Sequence, residues 1–208
     1  MDNMDNNCKE NNEVKSEEKN EEKTKVKGAK KSVGKEILSW VLTLGMAVVI
    51  ALVIRSFIFE PVRVDGESMC DTLQHGEIMY VSKPEYLFGD PSRGDVVICK
   101  YPGRTENFVK RVMGLPGETV EVVNNVVIID NVVMEELYLT PERNDNGFSM
   151  KPFELGEEEY FVMGDNRDNS HDSRNYGGYN NPSAITRDMI LGHVRFVFFP
   201  FNAVRGID

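Results

Sequence analysis

The sequence predicts a mainly β chain, with a single N-terminal transmembrane helix followed by an extracytoplasmic β-rich domain. Three observations predict it. Residues 37–54 form a predominantly apolar run without a charge. Beyond Pro61 the chain breaks into short alternating segments separated by Gly, Pro and Asn. There is no alternation of long helical and strand patterns and no internal repeat, so a barrel or sandwich is favoured over a parallel α/β sheet. Three regions follow: a polar tail over 1–35, an anchor over 36–59 and a folded domain over 60–208.

The tail is rich in Asn, Lys and Glu and nearly lacks large apolar residues. Such a segment cannot bury enough surface to offset the entropy of ordering, so disorder is expected. Between residues 23 and 35 it carries six lysines and no acid. The apolar run comes next. About 20 apolar residues span a bilayer core as a helix. Lipid forces that helix, because every backbone N–H and C=O must be satisfied within it. Arg55 near the far end can snorkel to the headgroups. The lysines before the span predict a cytoplasmic N-terminus, with the rest of the chain outside the membrane.

In the third region, Glu77-Ile-Met-Tyr-Val-Ser82, Asp95-Val-Val-Ile-Cys-Lys100 and Asn107-Phe-Val-Lys-Arg-Val-Met113 read as strands. Residues 118–123 and 126–133 read as a hairpin closed by Asn124-Asn125. Residues 140–158, with Pro141, Gly147, Pro152 and Gly156, read as loops. Tyr160-Phe-Val-Met163 and residues 192–199 are further strands. Residues 186–191 fit a helical turn or a strand start.

Charge and composition exclude several functions. The net charge is −10, from 24 Lys and Arg against 34 Asp and Glu. No nucleic-acid partner is expected, because that would need a basic stripe. The histidines His75, His171 and His193 are too scattered for a zinc site. The cysteines Cys8, Cys70 and Cys99 have no CxxC spacing, and nothing requires a disulfide between the two in the folded domain.

Three segments could carry chemistry. Ser68 lies in Gly66-Glu-Ser-Met-Cys-Asp-Thr-Leu73, shortly after the apolar run. Alone it reads as a surface turn rather than as a nucleophile. A nucleophilic serine needs a base, and no GxSxG elbow is present for a histidine to serve. Lys110 offers another base. Period-two geometry puts Phe108, Lys110 and Val112 on one strand face and Val109, Arg111 and Met113 on the other. A lysine between apolar neighbours is partly buried, which lowers its pKa towards the range a general base needs. A solvated lysine on a half-exposed strand is the other reading. The polar segment Gly164-Asp-Asn-Arg-Asp-Asn-Ser-His-Asp-Ser-Arg174 reads as an Asx-rich loop with internal ion pairing, Asp172 with Arg174 in particular. It does not fit a calcium loop, since Arg167 stands where a ligand belongs.

Taken together, these motifs resemble the type I signal peptidases of Gram-positive bacteria. The resemblance rests on 66–73, on Arg93-Gly-Asp-Val-Val97, on Phe108-Val-Lys-Arg-Val-Met-Gly-Leu-Pro-Gly-Glu118 and on 164–174, in this order after an apolar span. It implies a membrane-bound serine endopeptidase with a β-fold of the signal peptidase type. Ser68 would be the nucleophile and Lys110 the general base. Ser170 would orient the lysine. Asp172 with Arg174, and Asp165 with Arg111, would support the site. Met69 would lie beside the substrate groove. The implied partners are exported preproteins, cut after small residues at positions −1 and −3, together with the lipid bilayer and proximity to the secretion machinery. No cofactor or metal is implied. The Ser68 N–H would serve the oxyanion, and Gly66 leaves the second donor open.

The sequence departs from the family pattern at one position beside the nucleophile. Asp71 stands where the family usually has proline. Proline would stiffen the turn, so Asp71→Pro is expected to maintain or raise activity. Two other readings fit parts of the sequence: a degenerate tethered protein that binds signal peptides without cutting, and a self-cleaving Ser/Lys peptidase of the repressor type. The lysine-bordered apolar run argues against the latter's DNA-binding head.

Overall fold

The structure, a computed structural model, describes residues 33–57, 60–178 and 181–207. The first 32 residues, where disorder was expected, lie outside the described residues. The chain divides into two compact units near Ile50.

Helix α1 (Val33–Phe57) has 25 residues and is about 37 Å long at about 1.5 Å per residue. It begins inside the segment assigned to the tail. Its stretch Gly34–Leu52 is long and apolar enough to cross a membrane. Ile37, Trp40, Leu44 and Val49 are all exposed. A helix carrying such residues on every face is suited to lipid rather than water. Thr43 Oγ1 donates to Ser39 O at 2.9 Å, so this hydroxyl is satisfied within the helix.

The β-rich unit contains two antiparallel sheets. The larger has eight strands in the order β1-β2-β11-β3-β4-β9-β10, with β12 pairing β11. These are β1 (Glu60–Arg63), β2 (Ile78–Ser82), β3 (Val96–Cys99), β4 (Phe108–Gly114), β9 (Glu159–Met163), β10 (Ile185–Thr186), β11 (Ile190–Phe199) and β12 (Arg205–Gly206). The smaller has four strands in the order β7-β6-β5-β8: β5 (Thr119–Val123), β6 (Val126–Ile129), β7 (Val132–Val133) and β8 (Met150–Glu154). A single-turn helix α2 (Glu85–Phe88) follows β2.

Apolar side chains on alternate positions build three core clusters. Met69, Leu73, Met79, Val81 and Val194 pack on one side of the large sheet. Val97, Cys99, Tyr101, Val112 and Ile185 form a second cluster. Val120, Val122, Val127 and Ile129 of the small sheet pack with Met113, Phe161 and Met163 of the large one. Cys70 and Cys99 are both free thiols.

The structure corrects the sequence reading in three places. Residues 150–154, read as loop because of Pro152, form strand β8. It lies at the edge of its sheet, where a residue without an N–H is tolerated. The same rule admits Pro61 to edge strand β1, which the sequence reading missed. The second arm of the hairpin is split by Asp130 and Asn131, both at positive φ like Asn124 and Asn125. The latter pair does close the β5–β6 hairpin, as expected.

Candidate active site

Ser68 sits on a turn between β1 and β2. The turn is closed by Cys70 N–H to Glu67 O at 3.0 Å, Thr72 N–H to Met69 O at 3.0 Å and Leu73 N–H to Met69 O at 2.8 Å. Buried Val64, Met69 and Leu73 root it in the first core cluster. The chain enters the turn through Gly66 at φ +103°, a conformation open to glycine. The Gly66 N–H donates to His75 Nδ1 at 3.2 Å.

Strand β4 supplies the lysine. Its register pairs Lys110 with Val97 and Arg111 with Val96, so the two cations point to opposite faces of the sheet. Lys110 is only 2% exposed. Its Nζ lies 2.6 Å from Ser68 Oγ. Burial is the largest influence on Lys110 and pushes its pKa below the ordinary lysine value of 10.5, against the opposing pull of Asp172. The same burial pushes the nearby Cys99 thiol up to about 12.

The other face of β4 is a set of satisfied charges. Arg111 Nε donates to Asp165 Oδ1 at 3.1 Å and its Nη2 to Asp165 Oδ2 at 2.9 Å. Arg111 also donates to Gly94 O at 2.7 Å. Thr72 Oγ1 donates to Asp165 Oδ2, which links the nucleophile turn to this pair.

The polar loop after β9 packs directly against Ser68. Asn166 N–H donates to Ser68 O at 3.0 Å, and Asn166 Nδ2 donates to Glu67 O at 3.0 Å. Gly164 makes this approach possible. A Cβ there would collide with Ser68 O and Ser170 Oγ. Farther along the loop, Arg174 grips Asp172 through Nε and Nη2, both at 2.8 Å. Gly164 N–H donates to Asp172 at 2.9 Å. Burial alone would raise the Asp172 pKa, but Arg174 and the Gly164 N–H hold it below the usual carboxylate value.

A cavity of about 200 Å³ opens beside Ser68, lined by Val62, Val64, Met69, Ile98 and Lys110 among others. Of the residues singled out from the sequence, Ser68, Met69 and Lys110 line this cavity, Arg111 and Asp165 pair on the opposite face of β4, and Asp172 pairs with Arg174 farther along the loop. Two local details differ from expectation. Ser170 Oγ is buried on the side of Asp172, whose charge it favours, and makes no hydrogen bond to Lys110 in this arrangement. Asp71 has φ +101°, far from the value near −65° that proline enforces. The turn around Asp71 is thus built differently from one that proline could enter, and the expectation for Asp71→Pro is reversed.

Sequence reasoning missed Arg167, Glu136 and Tyr138. Arg167 is buried and pairs with Glu136. The Tyr138 ring lies 4.0 Å from the Arg111 guanidinium carbon. The signal for Arg167 was present, since it was the residue that spoiled a calcium loop. Nothing local pointed to Glu136, which lies 31 residues away.

Comparison with known proteins identifies the family. Residues 37–199 match the family described as signal peptidase, peptidase S26. The chain belongs to that family. Among signal peptidases, the signal peptidase I of Bacillus licheniformis is 41% identical over 170 residues, covering 78% of this chain and 89% of that protein. Signal peptidase I S of Bacillus subtilis (strain 168) is 41% identical over 168 residues, covering 77% and 88% respectively. A crystal structure of a signal peptidase I from Enterococcus faecalis V583 is 30% identical and covers 50% of this chain and 97% of that one, with a TM-score of 0.41. Membership of the signal peptidase family makes the chain a peptidase and excludes the repressor-type reading.

Proposed function

We propose that the chain is a membrane-anchored serine endopeptidase that removes N-terminal signal peptides from exported preproteins, cutting after small residues. The observation that carries this reading is Lys110 Nζ at 2.6 Å from Ser68 Oγ. A buried amine whose pKa is lowered is a base suited to an otherwise inert hydroxyl.

The reaction divides into two halves. Lys110, neutral, accepts the Ser68 hydroxyl proton as Oγ attacks the scissile carbonyl. The Ser68 N–H stabilises the oxyanion that forms. The Lys110 ammonium then protonates the leaving amine, and the C–N bond breaks to leave an ester on Ser68. Water, losing a proton to Lys110, attacks that ester. Collapse releases the acid and returns the proton to Ser68. Small substrate residues fit the confined cavity beside Met69 and Val64, whose lining is part apolar and part polar.

Around this dyad, Arg111 with Asp165 and Arg174 with Asp172 hold the two supporting loops. Ser170, whose side chain packs against Gly164, serves to orient the lysine. Residues 1–35 form the cytoplasmic tail, 36–59 the anchor and 60–208 the extracytoplasmic peptidase domain, close to the secretion machinery. The lysines at 23–35 support that orientation. A degenerate signal-peptide binder would have no use for a desolvated lysine on the serine.

The test is cleavage of a preprotein with an Ala-x-Ala site by the purified protein in detergent. Ser68→Ala and Lys110→Ala are each expected to abolish cleavage with the circular dichroism of the fold intact. Retained cleavage in either variant would refute the assignment. Protection of the N-terminal tail from protease added outside intact cells tests the orientation.

A further inference from the structure

Asp71 is two positions beyond Met69 and is held as few surface aspartates are. Its side chain is 8% exposed. One carboxylate oxygen accepts from Thr140 N–H at 3.2 Å and from Thr140 Oγ1 at 2.8 Å. The other lies 3.5 Å from Arg143 Nε. Its backbone is at φ +101°. A non-glycine residue is unfavourable in that region and persists there only where its surroundings hold it. Thr140 and Arg143 are those surroundings.

Residues 136–146 run from the small sheet across the supporting loops. Glu136 pairs with Arg167, Tyr138 covers Arg111, and Asn144 Oδ1 accepts the Arg167 N–H at 3.2 Å. Asp71 adds an attachment on the nucleophile turn itself. The next residue, Thr72, bonds Asp165. The turn is therefore gripped at two successive residues, from two different segments.

We propose that Asp71 is a positioning residue that ties the nucleophile turn to residues 140–143 and so keeps Ser68 in reach of Lys110. Where a proline would stiffen the turn from within its own backbone, this chain braces it from outside. The alignment of the dyad then depends on the segment that leads out of the small sheet. This rests on Ser68 being the nucleophile.

The experiment uses the full chain in detergent, with Asp71→Ala, Asp71→Asn, Thr140→Val and Arg143→Ala. Two readouts are taken: kcat and KM on a peptide spanning an Ala-x-Ala site, and amide hydrogen exchange. Asp71→Ala is expected to lower kcat about 10- to 100-fold, the scale of a small misplacement of a reacting group. KM should hold, because Asp71 does not line the cavity beside Ser68. Exchange at Cys70, Thr72, Leu73 and Thr140 should quicken. Asp71→Asn keeps an acceptor for Thr140 and should recover most of the rate. Arg143→Ala and Thr140→Val should fall between.

A wild-type kcat in Asp71→Ala would overturn the proposal. So would a rise in KM alone, a loss of kcat that only tracks a lost folded fraction, or unchanged exchange at the four amides. If the unmodified chain does not cleave the peptide, the Ser68 assignment falls instead, and exchange alone decides the tether.

Discussion

Lys110 and Arg111 are neighbours on one strand, both 2% exposed, yet they live in opposite chemical worlds. Arg111 faces a carboxylate through two hydrogen bonds, a backbone carbonyl and an aromatic ring. Lys110 faces a serine hydroxyl and, among the described residues, takes part in no ion pair within 4.0 Å. The difference teaches how the site separates structure from chemistry. A buried charge that is fully paired stays charged and fastens loops together. A buried amine whose nearest partner is a neutral hydroxyl gives up its proton more readily and can act as a base.

The largest expected effect comes from deleting the unpaired member. Lys110→Met should lower cleavage by roughly 10⁴- to 10⁶-fold, as when one member of a nucleophile–base unit is removed. It should not lower the urea unfolding midpoint, since methionine fills similar space without an amine to desolvate. A large loss of stability would show that Lys110 is structural like its neighbour.

Next comes the paired member. Asp165→Ala strands the Arg111 charge and should cost about 3–5 kcal/mol in urea unfolding, the usual penalty for halving a buried pair. A cost under about 1 kcal/mol would mean that water reaches Arg111. Gly164→Ala sharpens the comparison from between the two. Its Cβ meets Ser68 O and Ser170 Oγ, an overpacking expected to cost about 1–3 kcal/mol and to lower kcat. Wild-type kinetics in that variant would show that the two loops can separate freely.

The pH dependence follows from the same contrast. Lys110 must be neutral to act, so kcat/KM should rise with pH through the lowered lysine pKa, with its midpoint below 10.5. Stability moves the same way. Between the folded pKa and the unfolded one, the unfolded chain binds more protons, so stability rises with pH and is lost as pH falls through the folded value. Lys110→Met should remove that slope. The smallest effect belongs to an exposed pair. Breaking Lys83–Glu60, with both side chains 45% exposed, should change stability by no more than about 1 kcal/mol.

Much of this was legible in the sequence. The apolar run, the Asn124-Asn125 turn and the alternation around Lys110 all follow from local periodicity and turn chemistry. The pairing of Asp172 with Arg174 was readable because the partners are two residues apart. What was not readable is non-local. Period-two logic put Lys110 and Arg111 on opposite faces but could not say that both faces are covered. Pro152 argued for a loop, and no strand was expected at Pro61, because the sequence does not reveal that both lie at sheet edges. Asp71 looked like a weakened proline because its partners Thr140 and Arg143 lie about 70 residues away.

The bond between Thr72 and Asp165 joins residues 93 apart in the chain, and the dyad itself spans 42. A chain made from its N-terminus therefore carries its serine well before its lysine. It carries both long before the loop at 164–174 that clasps the serine's carbonyl. Contacts at such separation are assembled late, because long loops must close before they form. Proteolytic competence is thus tied to completion: a fragment ending before Gly164 holds both reactive groups and lacks the clasp that aligns them.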